Sequence, residues 1–158
     1  KGMYSYEGRK ILEARYKWAE PNTYYGTPDY YGAVTATGNG VIVNSNGRVV
    51  LNTGPTDKFL FDEINTNKYC AFYKGDKVGF INFKKMKVVI PCRYNVFWGN
   101  GEFPTRKLGV YKESPRGTLI DIWTLNGQKI ASKYFPSGTS RYKMKSFLEN
   151  HLNISLYF

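Results

Sequence analysis

KVGFINFKKMKVVIPCRY, residues 77–94, decides the reading of this chain. Val78 and Phe80 alternate with Gly79 and Ile81, a period of two that runs on to Phe83 and predicts a strand. Lys84, Lys85 and Met86 supply a polar turn. Lys87-Val88-Val89-Ile90 is a second, β-branched run, and it stops at Pro91, which cannot donate to an inner ladder. The phrase is therefore strand, turn, strand, stop.

The same phrase recurs. GVIVNSNGRVVL at 40–51 superimposes without gaps on GFINFKKMKVVI at 79–90, and its turn Asn46-Gly47 suits the positive φ of a tight hairpin. AFYKGDKVG at 71–79 matches GVYKESPRG at 109–117, placing Tyr73 and Lys74 on Tyr111 and Lys112. A third hairpin, LIDIWTLNGQKI at 119–130, turns at Asn126-Gly127. Three hairpins at a spacing of about 40 residues make a repeat, and because a lone hairpin cannot bury its apolar face, successive units are expected to stack. The expected fold is mainly β, an array of about three hairpin repeats with one C-terminal helix.

GDKVGFINFKKMKVVIPCRY at 75–94 resembles the repeating phrase of bacterial WG-repeat proteins, G-K-W-G-F-I-D-x-x-G-K-V-V-I-P-x-x-Y. Gly79, Phe80, Ile81, Lys87, Val88, Val89, Ile90, Pro91 and Tyr94 carry it. Val78 stands where the family has its Trp, Asn82 replaces the Asp, and Met86 sits near the turn Gly. Trp98-Gly99 has the name-giving residues in another register. The resemblance covers about residues 40–135, close in one unit and degenerate in two. It implies stacked hairpin units serving as a non-catalytic interaction module with no common ligand.

The 158 residues suit one domain: an N-terminal non-repeat segment of strands and loop (1–39), hairpin repeats (40–135), then a helix and short strand (138–158). In the first segment, Ile11, Tyr16 and Trp18 favour strand. In RYKMKSFLENHL, Met144, Phe147, Leu148 and Leu152 recur at helical spacing behind Ser and Thr caps, and this helix is expected to cover the last hairpin. ISLYF reads as a short strand. The chain opens on KGMYSYEGRK without an initiator Met, which fits a processed or extracytoplasmic protein, and localisation stays open.

Lys and Arg number 23 against 12 Asp and Glu, net +11; from Gly79 onward lie 13 of the cations but only 4 of the acids. Such a half-surface attracts nucleic acid, anionic glycans or acidic headgroups, or simply keeps the chain soluble. No run of about 18 apolar residues occurs, and Lys143 and Lys145 are too few to hold a membrane surface.

Chemistry-bearing clusters are thin. Cys70 and Cys92 are the only cysteines, too few for a structural zinc or iron–sulfur spacing. A disulfide between them and two buried thiols are both open readings. The single histidine, His151, lies in the terminal helix near Glu149, where capping outweighs general-base work. Asp57, Asp62 and Glu63 form an acidic cluster without calcium-loop spacing. Gly38-Asn39-Gly40 runs into a strand rather than a helix, which rules out a phosphate cradle. No cofactor, metal or catalytic residue is assigned, and an enzyme is not expected.

Two binding readings follow. In the first, a protein or glycan partner meets exposed aromatics: Tyr24, Tyr25, Tyr30 and Tyr31 in one patch, and Phe97, Trp98 and Phe103 in a protruding loop at 95–107. In the second, Lys84, Lys85, Lys87, Arg93, Arg106, Lys107 and Lys112 contact the phosphates of nucleic acid.

Overall fold

Three turn-capping side chains show why the hairpins form where they do. Asn44, Asn82 and Thr124 each close an incoming strand and turn back onto the chain. Asn44 Oδ1 accepts from the backbone N–H of Asn46 and Arg48, at 3.0 Å each. Asn82 Oδ1 accepts from Lys85 N–H at 3.1 Å, and Thr124 Oγ1 from Gln128 N–H at 3.1 Å. A side-chain acceptor at that position fixes the reversal locally. The positive φ that each turn needs falls on Gly47 (82°), Met86 (49°) and Gly127 (95°). Met86 is the one non-glycine residue with positive φ among the described residues.

The computed structural model describes residues 3–4, 10–12, 16–23, 26–61, 68–98 and 107–152, with the side chains of 96–98 and of residues before 16 left aside. The elements are β1 (Met3–Tyr4), β2 (Lys10–Leu12), β3 (Trp18–Pro21), β4 (Tyr30–Val34), β5 (Asn39–Asn44), β6 (Val49–Pro55), β7 (Lys58–Phe61), β8 (Tyr69–Lys74), β9 (Lys77–Asn82), β10 (Lys87–Tyr94), β11 (Val96–Trp98), β12 (Lys107–Ser114), β13 (Gly117–Thr124), β14 (Lys129–Pro136) and α1 (Arg141–Leu152). β1 pairs with β2. The rest form three four-stranded sheets, each a meander in chain order: β3-β4-β5-β6, β10-β9-β8-β7 and β11-β12-β13-β14. The fold is mainly β, built of hairpin repeats with one C-terminal helix.

Each repeat is thus a four-stranded meander rather than a single hairpin, and the first begins at Trp18, upstream of residue 40. The outer strands β7 and β11 are tied in alike. Asp57 N–H bonds Tyr73 O while Asp57 Oδ2 accepts from Gly75 N–H, and Asn95 N–H bonds Tyr111 O while Asn95 Oδ1 accepts from Glu113 N–H. Contacts gather the chain, read above as one domain, into two compact units: residues 1–76 with 80–88, and residues 77–79 with 89–158.

In the first unit, β4 and β5 are buried on both faces. Tyr31 and Ala33 pair across to Val43 and Val41, packing with Tyr16 and Ala19. On the opposite face Gly32 admits an aromatic: a Cβ there would lie 2.8 Å from Phe59 Cδ2. Phe59 then meets Trp18 at 5.9 Å and Phe72 at 6.4 Å between ring centroids. Offset and tilted rings at these separations add to the burial of their area. Burial on both faces explains why the central strands read as continuous apolar runs rather than strict alternation.

In the second unit, Ile120, Ile122 and Phe135 of the sheet enclose Leu148 and Leu152 of α1, flanked by Met144 and Phe147. Gly109 lets the helix come close, since a Cβ there would sit 2.6 Å from Leu148 Cδ2. Ser140 caps the helix start through Lys143 N–H, as the sequence predicts, and Lys107 Nζ donates to the His151 carbonyl at its end.

Candidate functional site

The strands sort the nominated residues into inward and outward sets. Tyr31 is only 6% exposed and belongs to the core, and burial raises its pKa. Tyr30 is half-buried, stacked on Phe83 with centroids 4.8 Å apart and planes 11° from parallel. Tyr31 is therefore not the exposed contact the sequence reading makes it: it occupies the inward position of β4, facing Val43. Tyr24, Tyr25, Phe103 and Arg106 lie outside the described residues.

The segment 95–107 is not a loop throughout. Val96–Trp98 forms β11, with Phe97 opposite Val110 and Trp98 opposite Gly109. Its aromatic, β-branched composition favours a strand, which completes the third sheet.

The cations divide differently. Lys84 and Lys85 in the turn and Lys87 at the start of β10 are all exposed. Arg93 and Lys112 are exposed as well; the Arg93 guanidinium lies 5.4 Å from the Tyr94 ring centroid. Lys107 is half-buried, and its Nζ donates to the His151 carbonyl at the end of α1 at 3.4 Å. His151 Nδ1 in turn lies 2.8 Å from Phe147 O, in keeping with a capping role.

Both cysteines are thiols: Cys70 is fully buried, its pKa raised well above the ordinary value by desolvation, and Cys92 is half-buried. The sheet order places β9 between β8 and β10, the strands that carry them. Of the acidic cluster, Asp57 is held below its usual pKa by the Gly75 N–H and then by Lys74, whose Nζ lies 3.1 Å away. Asp62 and Glu63 lie outside the described residues. Among the described residues, no three His, Cys, Asp or Glu side chains cluster to hold a metal ion, and no helix is long and apolar enough to cross a membrane.

A further arrangement escaped the sequence reading. Asp121, 1% exposed, sits in the apolar run LIDIW and accepts from Tyr94 OH at 2.6 Å and from Ser132 Oγ–H at 2.5 Å. Trp123 Nε1–H donates to Tyr94 OH at 3.0 Å, and Arg93 reaches it at 3.3 Å. Burial, then the bond to Asp121, raises the Tyr94 pKa. Both carboxylate oxygens are occupied by hydroxyl donors inside the protein, so the group joins β10 to β13 and β14 rather than presenting a base to solvent. The lone carboxylate in an apolar strand run was the available signal.

No family model matches the chain, and no curated protein matches it. A solved structure described as "Crystal structure of the eukaryotic initiation factor" is similar over 68% of this chain and 30% of that one, with 16% identity and a TM-score of 0.42. A likeness that slight carries no argument about fold or function.

Proposed function

We propose that the chain is a non-catalytic interaction module that binds an anionic protein or glycan partner. The observation that carries this reading is the separation of candidates: the described aromatics Tyr30 and Tyr31 are engaged in packing, whereas Lys84, Lys85 and Lys87 face solvent. The resemblance of residues 75–94 to the WG-repeat phrase supports the same role. The turn cap of Asn82 fixes the backbone that carries Lys84 and Lys85. Tyr24, Tyr25, Phe103 and Trp98 remain the aromatic contacts that the sequence nominates.

The test is binding of heparin and of a single-stranded oligonucleotide to the wild type and to the triple variant Lys84→Glu, Lys85→Glu, Lys87→Glu, each at low and physiological salt. Heparin binding that the variant loses by about tenfold or more supports the reading. Equal binding by wild type and variant removes these lysines from it. The net charge of +11 favours a second reading, nucleic acid. A preference for the oligonucleotide, with log K falling by about 0.7 per log unit of salt for each phosphate contacted, selects it.

A further inference from the structure

β14 ends the third sheet, and its outer edge has no strand beside it among the described residues. The register fixes which of its groups face outward. Ser137 N–H bonds Arg116 O, and the pairing runs from there through Gly117↔Pro136 to Ile122↔Ala131. Hydrogen-bonded pairs alternate with non-bonded ones in an antiparallel ladder, so Phe135, Lys133 and Ala131 bond inward. Ser132 and Tyr134 therefore direct their backbone N–H and C=O groups outward.

Two further features surround that edge. Ile130 and Tyr134 are 43% and 49% exposed, large apolar groups on a strand otherwise faced with polar residues, and Tyr142, at 75%, follows at the start of α1. The local charge is one-sided: residues 107–152 hold eight Lys and Arg against three acidic residues. Of those three, Asp121 is buried and Glu149 is paired with Lys145 at 3.7 Å. Exposed cations flank the strand at both ends, Lys129 at its start and Arg116 and Arg141 beside its end.

Edge strands are commonly blunted by lysines and bulges. Here the register shift between Ile122 and Trp123 makes Ile130 the extra residue of β14, close to its start, and leaves Ala131–Pro136 regular. Lys133 turns its ammonium over the rings of Phe135 and Phe147, at 5.3 and 6.0 Å, and away from the edge.

We propose that this edge captures an extended acidic peptide segment of a partner protein, which adds as a fifth strand beside β14. Main-chain bonds to Ser132 and Tyr134 would hold the peptide, Ile130 and the Tyr134 ring would receive its apolar side chains, and the flanking cations select its charge. The inference rests on the interaction-module reading and names its partner.

The probe is an alternating Glu-Val octapeptide, with a Lys-Val octapeptide as control. Tyr134→Pro removes an outward N–H without touching the ladder to β13, and Tyr134→Ala removes the ring but keeps the N–H. The wild type is expected to bind the acidic peptide and not the basic one, with amide exchange slowed across residues 129–136. Tyr134→Pro should weaken binding by about tenfold or more and Tyr134→Ala by only a few-fold. Should Tyr134→Pro fail to fold, the pair Arg116→Glu, Lys129→Glu is expected to lose the acidic peptide instead. Undiminished binding by a folded Tyr134→Pro variant, or no slowing at 129–136, overturns the proposal. If the wild type binds heparin but not the peptide, the edge proposal fails and the module reading stands; if it binds neither, both fail.

Discussion

Replacing Tyr94 by Phe deletes one oxygen and disturbs three contacts. The ring stays in its site, which is 1% exposed, but Asp121 Oδ2 loses a 2.6 Å donor and Trp123 Nε1–H loses its acceptor. A hydrogen bond to a charged group contributes about 1.5–3 kcal/mol, and stranding a buried partner adds to that cost. Trp123 is only partly buried, so water can serve its N–H and its share is small. The expected loss is about 2–3 kcal/mol. At about 2–4 °C per kcal/mol for a chain of this size, Tm falls by roughly 4–12 °C. Urea unfolding followed by circular dichroism reads the loss directly, and the cycle with Asp121→Leu isolates the pair. Asp121→Leu alone strands the Tyr94 OH donor, whereas the double variant removes both ends of the Tyr94–Asp121 bond together, so the double should cost less than the two singles together by about 1–2 kcal/mol. A Tyr94→Phe loss below about 0.5 kcal/mol, or strict additivity in the cycle, would refute the view that Asp121 is held by this hydroxyl.

Three other outcomes are expected. Met86→Gly relieves a left-handed backbone that costs an L-residue about 1–2 kcal/mol, offset by roughly 0.5–1 kcal/mol of chain entropy, so the variant should be more stable by about 0.5–1 kcal/mol in urea. Gly109→Ala pushes a Cβ against the buried Leu148 Cδ2 and should cost about 1–3 kcal/mol, with α1 cleaved first in limited proteolysis. Asp57 is ionised more readily in the folded chain than its usual value of 3.8, so its contribution is complete above that pH and is lost as pH falls through the lowered folded value. Asp57→Asn should accordingly flatten the acid limb of stability against pH and leave neutral stability less affected, as measured by thermal melts across that range.

The hairpins were legible because their turns announce themselves. Asn46-Gly47 and Asn126-Gly127 are local signals that need no tertiary context, and the α1 pattern of Met144, Phe147, Leu148 and Leu152 is equally local. The outermost strands were harder to see. β7 and β11 span four and three residues and connect through long segments, so neither period nor turn chemistry marks them. Trp98 in particular reads as part of a loop until β11 is found beside β12. Tyr31 went wrong for another reason: its place is set by partners distant in sequence, the core around Val43. Only the fold tells an inward tyrosine from an outward one. Asp121 could have been flagged, since a lone carboxylate inside LIDIW demands a partner, but no pattern in the sequence points to Tyr94 and Ser132.

Three four-stranded units carry this fold. Amide hydrogen exchange resolved by residue should therefore show three separate blocks of slow exchange, centred on β4–β5, β8–β9 and β12–β13, with faster exchange at the turns that follow Asn44, Asn82 and Thr124. Fast exchange throughout any one of the three blocks would contradict it.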